Sequence, residues 1–142
     1  MQISRKGSAV WSGGLKDGRG AISTESGALD GYPYGFASRF EGKKGSNPEE
    51  LIGAAHAACF TMALSLILGE AGLKAERMET HAAVTIEQNA DGFAITSSRL
   101  RLKATIPGID QARFEELTAK AKAGCPVSKL LNTEITLEAT LA

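Results

Sequence analysis

Residues 51–69, LIGAAHAACFTMALSLILG, carry no formal charge. A chain with such a run must either bury it or pass it through a membrane. Helix punctuation stands at both ends. Asn47 is a good N-cap, Pro48 suits the first helical position, and Glu50 stands where a capping-box glutamate would. Glu49 and Glu50 favour the positive end of a helix dipole, and Gly69 and Gly72 mark an exit. The stretch NPEELIGAAHAACFTMALSLILGEAG, residues 47–72, therefore predicts one long helix. Gly53, His56, Thr61, Ser65 and many alanines make it weakly hydrophobic for a membrane span. A helix buried on most sides inside a protein fits better.

The remaining elements must surround that helix. Residues 5–12 read as a strand, the glycine-rich GGLKDGRG at 13–20 as a hairpin turn, and 21–26 as the returning strand. Residues 27–37 read as loop, and SRFEG at 38–42 as a short strand or extended piece. Two long strands, 78–88 and 93–106, flank the turn NADG. In the second, Leu100 and Leu102 alternate with Arg99, Arg101 and Lys103, which implies one wet and one buried face. Residues 110–123 predict an amphipathic helix with Phe114, Leu117 and Ala121 on one side, Asp110 as cap and Gly124 as stop. A short helix opens at Pro126, and 134–141 alternates as a final strand. The order implies an α+β fold, with antiparallel sheets around a long central helix and a second helix. A length of 142 residues fits a single domain, 1–142.

Charge and composition narrow the function. Sixteen basic and sixteen acidic residues balance, without a basic tract, so no nucleic-acid partner is expected. The start, MQISRKGSAVW, lacks the apolar run of a secretory signal, and no membrane association is expected. A cytoplasmic location is expected. Two cysteines cannot supply a four-sulfur zinc site, so no metal is expected. GGLKDGRG lacks the context of a phosphate loop.

A thiol reacts as its thiolate and needs a cation, a helix N-terminus or hydrogen bonds to form one. Cys125 precedes Pro126, so it stands at or just before the N-cap of a helix. Cys59 lies about 15 Å into its own helix, beyond the reach of the dipole. On these grounds Cys59 reads as a buried structural cysteine and Cys125 as the better nucleophile. If Cys59 reacts, a cation must reach it through space.

The segments NPEELIGAAHAACF and KAKAGCPVS resemble the signature segments of the OsmC/Ohr family, nearly end to end and in the right order. AVWSGG, ISTESG and SRFEG resemble its OsmC (osmotically inducible protein C) branch. The resemblance implies a cysteine-based hydroperoxide reductase of osmotic and oxidative stress responses, with peroxiredoxin-like activity on organic hydroperoxides and hydrogen peroxide. Cys59 would be the peroxidatic thiolate and Cys125 the resolving thiol, joined after oxidation as a disulfide and restored by a dithiol such as a lipoylated protein. No cofactor is implied. Arg39 of SRFEG would hold the thiolate and orient the peroxide; Arg19 of the glycine-rich turn is offset from the position used by the Ohr branch. Glu49 would hold Arg39 through a bidentate pair. The family forms intertwined homodimers with sites at the interface, so Arg39 and Glu49 would meet Cys59 across subunits.

Other features keep two readings. Gly53, Ala57, Thr61 and Ser65, with Ala54 and Ala58, form a ridge of small side chains, which packs either against helix 110–123 alone or also against a second copy. His56, one turn before Cys59, reads as a structural or wall residue, although a Cys–His dyad of a hydrolase is conceivable. His81 reads as exposed. Trp11, Tyr32, Tyr34, Phe36, Phe40 and Phe60 are either pocket lining or core. The alternative to a peroxidase is a non-catalytic redox-sensing stress protein whose thiols form a reversible disulfide.

Overall fold

Strands β1 (Gly7–Ser12), β2 (Arg19–Thr24) and β3 (Tyr32–Tyr34) form an antiparallel meander in that order. A computed structural model describes residues 1–142, which divide into two compact units, 1–51 and 52–142. The meander belongs to the first. β1 is exposed along its whole length, Val10 at 70%. Segment 38–42 is not a strand: Phe36–Phe40 coil into a helix, α1, whose start is closed by Ser38. Its hydroxyl accepts from Gly35 N–H at 3.0 Å and lies 2.8 Å from the Ser46 carbonyl, to which it donates. Residues 27–37, read as loop, contain β3.

Helix α2 (Pro48–Glu70) matches the charge-free run. Glu50 N–H donates to Asn47 Oδ1 at 2.8 Å, while Asn47 Nδ2 donates to Glu50 Oε1 at 2.9 Å, so the cap and its glutamate are reciprocally tied. The far end closes on Gly72 at φ 75°, a left-handed backbone. Leu73 N–H then reaches the Leu68 carbonyl at 2.8 Å, the six-to-one bond of a Schellman cap.

In the second unit, β4 (Arg77–Asn89) and β5 (Gly92–Thr105) form a long antiparallel hairpin with a bulge between Thr85 and Ile86. Helices α3 (Gln111–Gly124) and α4 (Pro126–Leu130) follow, then β6 (Glu134–Leu141). β6 pairs with β5 in parallel, which departs from an all-antiparallel sheet. The two helices carry the chain back along the sheet before β6 begins, as a parallel pair requires.

Alternation along β5 works as expected. Ser98, Leu100, Leu102 and Ala104 are buried, and Arg99, Arg101 and Lys103 are exposed. Leu100, Leu102 and Ala104 share a core with Phe60, Leu64 and Leu68 of α2 and Phe114, Leu117 and Ala121 of α3. Each large side chain in it contributes roughly 1.5–3 kcal/mol by burial. Phe60 is thus core. The small-residue ridge lies against β4 rather than α3. Thr61 Oγ1 donates to Thr80 Oγ1 at 2.6 Å, and a Cβ on Gly53 would stand 3.0 Å from the Ala82 carbonyl oxygen. Burial of α2 on most sides does not hold within one chain, where Met62 is 77% and Leu66 65% exposed.

Candidate active site

The termini of two helices bring Arg39 and Glu49 together. Arg39 ends α1, and Glu49 lies in the first turn of α2. Nε and Nη2 of Arg39 donate to the same oxygen, Glu49 Oε1, at 3.0 and 2.9 Å. The pair is therefore not the fork-to-fork bidentate arrangement expected. Glu49 is 7% exposed, and its Oε2 is buried with no hydrogen-bond partner. Such an oxygen is costly unless a donor arrives. The Arg39 guanidinium carbon lies over the Phe40 ring, 5.2 Å from its centroid, within cation–π range. Arg19 opens β2 and is exposed. Trp11 stacks at a tilt on Tyr34, and Phe36 on Phe40, so four of the five aromatics of residues 1–51 form two pairs.

The two cysteines meet in the second unit. Cys59 projects from the middle of α2, and Cys125 joins α3 to α4 as the cap of both. Each thiol acts on the ionisation of the other. Both are free, and they differ in access: Cys59 is partly exposed, whereas Cys125 is wholly buried. Val127 N–H points to Cys59 Sγ at 3.5 Å.

Electrostatics split the pair. Burial pushes the Cys59 thiol up, and its neighbour Cys125 adds to the rise. Burial also opposes ionisation of Cys125, but hydrogen bonding from Cys59 and from the backbone and hydroxyl of Ser128 outweighs it and draws that thiol down. These directions belong to a pair that gives up one proton readily and resists losing the second. Cys125 makes no side-chain cap bond, yet the N–H groups of Ser128 and Val127 favour its negative charge. No cationic side chain of residues 52–142 acts on Cys59.

His56 is wholly buried one turn before Cys59, and both ring nitrogens are engaged elsewhere. Nδ1 lies 2.6 Å from Ser98 Oγ and Nε2 2.8 Å from Ser128 Oγ, which leaves no nitrogen for a Cys–His dyad. Burial pushes the imidazole below its usual value, so it is neutral at pH 7. Sequence reasoning did not single out the two serines. Ser98 carries a signal, since it is a polar residue in register with the apolar face of β5. Ser128 carries none. His81 is exposed on β4, as expected, beside Glu79.

Comparison with known proteins places this geometry. The model of the OsmC-like protein family matches residues 41–140. The chain belongs to the OsmC-like family. It is 56% identical over 138 residues to peroxiredoxin OsmC of Escherichia coli strain K12, covering 97% of this chain and 96% of that one. It is 34% identical over 102 residues to an organic hydroperoxide resistance protein of Xanthomonas axonopodis pv. citri, covering 71% of this chain and 70% of that one. Among solved structures, the organic hydroperoxide resistance protein OhrB of Bacillus subtilis aligns with a TM-score of 0.69 at 26% identity over 99% of this chain and 98% of that one. The mixed architecture of this OsmC-like chain, two three-stranded sheets and four helices, agrees with that alignment.

Proposed function

We infer that the protein is a thiol-dependent peroxidase of organic hydroperoxides. The observation that carries the reading is the pair of cysteines: far apart in sequence, they lie in one packed cluster where the Cys59 sulfur faces Val127 N–H two residues after Cys125, one thiol reachable from solvent and the other buried. Relatives named peroxiredoxin OsmC and organic hydroperoxide resistance protein support the same activity.

Access assigns the roles. A peroxide meets Cys59 and not Cys125. The thiolate of Cys59 attacks the nearer peroxide oxygen; the O–O bond breaks, the alkoxide takes a proton and leaves as an alcohol, and Cys59 becomes a sulfenic acid. The Cys125 thiolate then attacks the Cys59 sulfur. The S–O bond breaks, hydroxide takes up the proton that Cys125 had lost and leaves as water, and a Cys59–Cys125 disulfide remains. A dithiol, such as a dihydrolipoyl group on a protein, reduces it by exchange.

Sharing one proton helps the first step. Moving it toward Cys125 leaves Cys59 as the thiolate. A guanidinium beside Cys59 would drive that shift, and Arg39, held by Glu49, is the group we assign to it. The unpartnered Glu49 Oε2 and the exposed Met62 and Leu66 of α2 support a homodimer in which Arg39 and Glu49 of one subunit complete the site of the other. The two units of each chain then work as one domain. The cytoplasm, with its dithiols, is the compartment in which the cycle turns over.

The test is peroxide consumption with a dithiol reductant. Cys59→Ser abolishes it. Cys125→Ser permits about one oxidation per site without sustained turnover. Steady consumption by Cys59→Ser would end the assignment. A wild-type protein that oxidises once and never cycles would instead be a redox sensor.

A further inference from the structure

The peroxidase cycle proposed above leaves one buried group unused. His56 sits at the centre of a hydrogen-bonded row that crosses three elements: Ser98 of β5, His56 of α2 and Ser128 of α4. Ser98 and His56 are wholly buried, and Ser128 is 8% exposed. A buried polar row with every member satisfied is costly to assemble and specifies one geometry. It does not end at Ser128. Cys125 is the N-cap of α4 and Ser128 is three residues on, a spacing that sets the two side chains side by side. At that spacing the Ser128 hydroxyl, and its backbone N–H, favour negative charge on the Cys125 sulfur.

We propose that His56 and Ser128 are positioning residues for Cys125, forming with Ser98 a one-way chain of donors that holds this sulfur as the thiolate attacking oxidised Cys59. The proposal rests on the peroxidase reading, with Cys125 as resolving thiol. Proton bookkeeping sets the direction of the chain. Neutral imidazole has one donor and one acceptor nitrogen. Ser98 O–H donates to Nδ1, so the ring proton is on Nε2. Nε2–H donates to Ser128 Oγ, and the freed Ser128 O–H donates to the Cys125 sulfur. Reversing the tautomer turns Ser128 toward His56 and takes its proton away from the thiolate. Burial keeps His56 neutral, so the row orients a hydrogen bond and does not carry positive charge. The closing step balances as before. The Cys125 sulfur is oxidised, the Cys59 sulfenic sulfur is reduced, and hydroxide leaves with the proton lost by Cys125.

The test separates the two chemical steps by rapid mixing of reduced protein with one equivalent of an alkyl hydroperoxide, following sulfenic acid trapping and disulfide closure. In Ser128→Ala the thiolate fraction of Cys125 falls about tenfold, and greater nucleophilicity recovers about threefold, so closure slows about threefold at neutral pH. Ultraviolet thiolate absorbance then titrates at higher pH, while sulfenic acid formation at Cys59 is not slowed. Ser128→Thr keeps the hydroxyl and restores both closure and titration, which a packing defect would not do. Independently of any variant, nitrogen NMR of the reduced wild type reports the Nε2–H tautomer of His56. Closure at the wild-type rate in Ser128→Ala, or an Nδ1–H tautomer, overturns the donor chain while leaving the peroxidase reading intact. A wild-type protein that consumes peroxide without forming the Cys59–Cys125 disulfide overturns both.

Discussion

At the scale of single residues, the two thiols differ through their neighbours and not through their type. Cys125 gains charge stabilisation from Cys59, Ser128 and backbone N–H groups, while Cys59 loses it to burial and to Cys125. His56 extends this logic to stability. Its folded-state value lies below its unfolded value of about 6.5, so the unfolded chain binds more protons once the pH drops under that value. The contribution is complete above about pH 6.5 and is lost as the pH falls, by at most about 1.4 kcal/mol per pH unit. Urea midpoints measured at about pH 7.5 and about pH 5.5 should show the loss in wild type and a smaller one in His56→Gln. Equal slopes in both proteins would show that His56 charges freely in the fold.

At the scale of elements, α2 is two helices in one. One face, Phe60, Leu64 and Leu68, is ordinary core. The other is cut small so that a strand can come close, with the Ala82 carbonyl of β4 against Gly53. Alanine is favoured over glycine in a helix interior by about 1 kcal/mol. Gly69→Ala, where a Cβ would meet open space, should gain up to about 1 kcal/mol in urea unfolding. Gly53→Ala should gain nothing or lose stability, because its Cβ presses on β4. Equal gains at both sites would mean that α2 does not rest tightly on that strand.

At the scale of the whole molecule, β1 exposes every residue, and α2 turns Met62 and Leu66 to solvent. Large apolar side chains on a long helix are a reason to assemble. Each contributes roughly 1.5–3 kcal/mol when covered. The pair Met62→Glu and Leu66→Lys should convert the protein to a monomer in light scattering. If Arg39 acts across the interface, peroxide turnover should fall about a hundredfold in the same variant, the scale of a misplaced catalytic group. A monomer with full activity would refute the shared site.

Much of this protein can be read from its letters, because local rules act over a few residues. The cap at Asn47, the charge-free length of α2, the NADG hairpin, the alternation of β5 and the cap role of Cys125 all depend on near neighbours, and each appears in the fold. Motif resemblance also located the family. Other features rest on contacts between distant segments, to which local pattern is blind. Residues 38–40 joined a helix because Ser38 closes its first turn, and β6 ran parallel because two helices returned the chain first. Both nitrogens of His56 found serines on separate elements, and the two guanidinium donors of Arg39 chose one oxygen. Sequence alone determined which side chains were available for chemistry. Tertiary structure decided which of two identical thiols is reachable and which ionises more easily, because access and local field are properties of surroundings that no short stretch of chain contains.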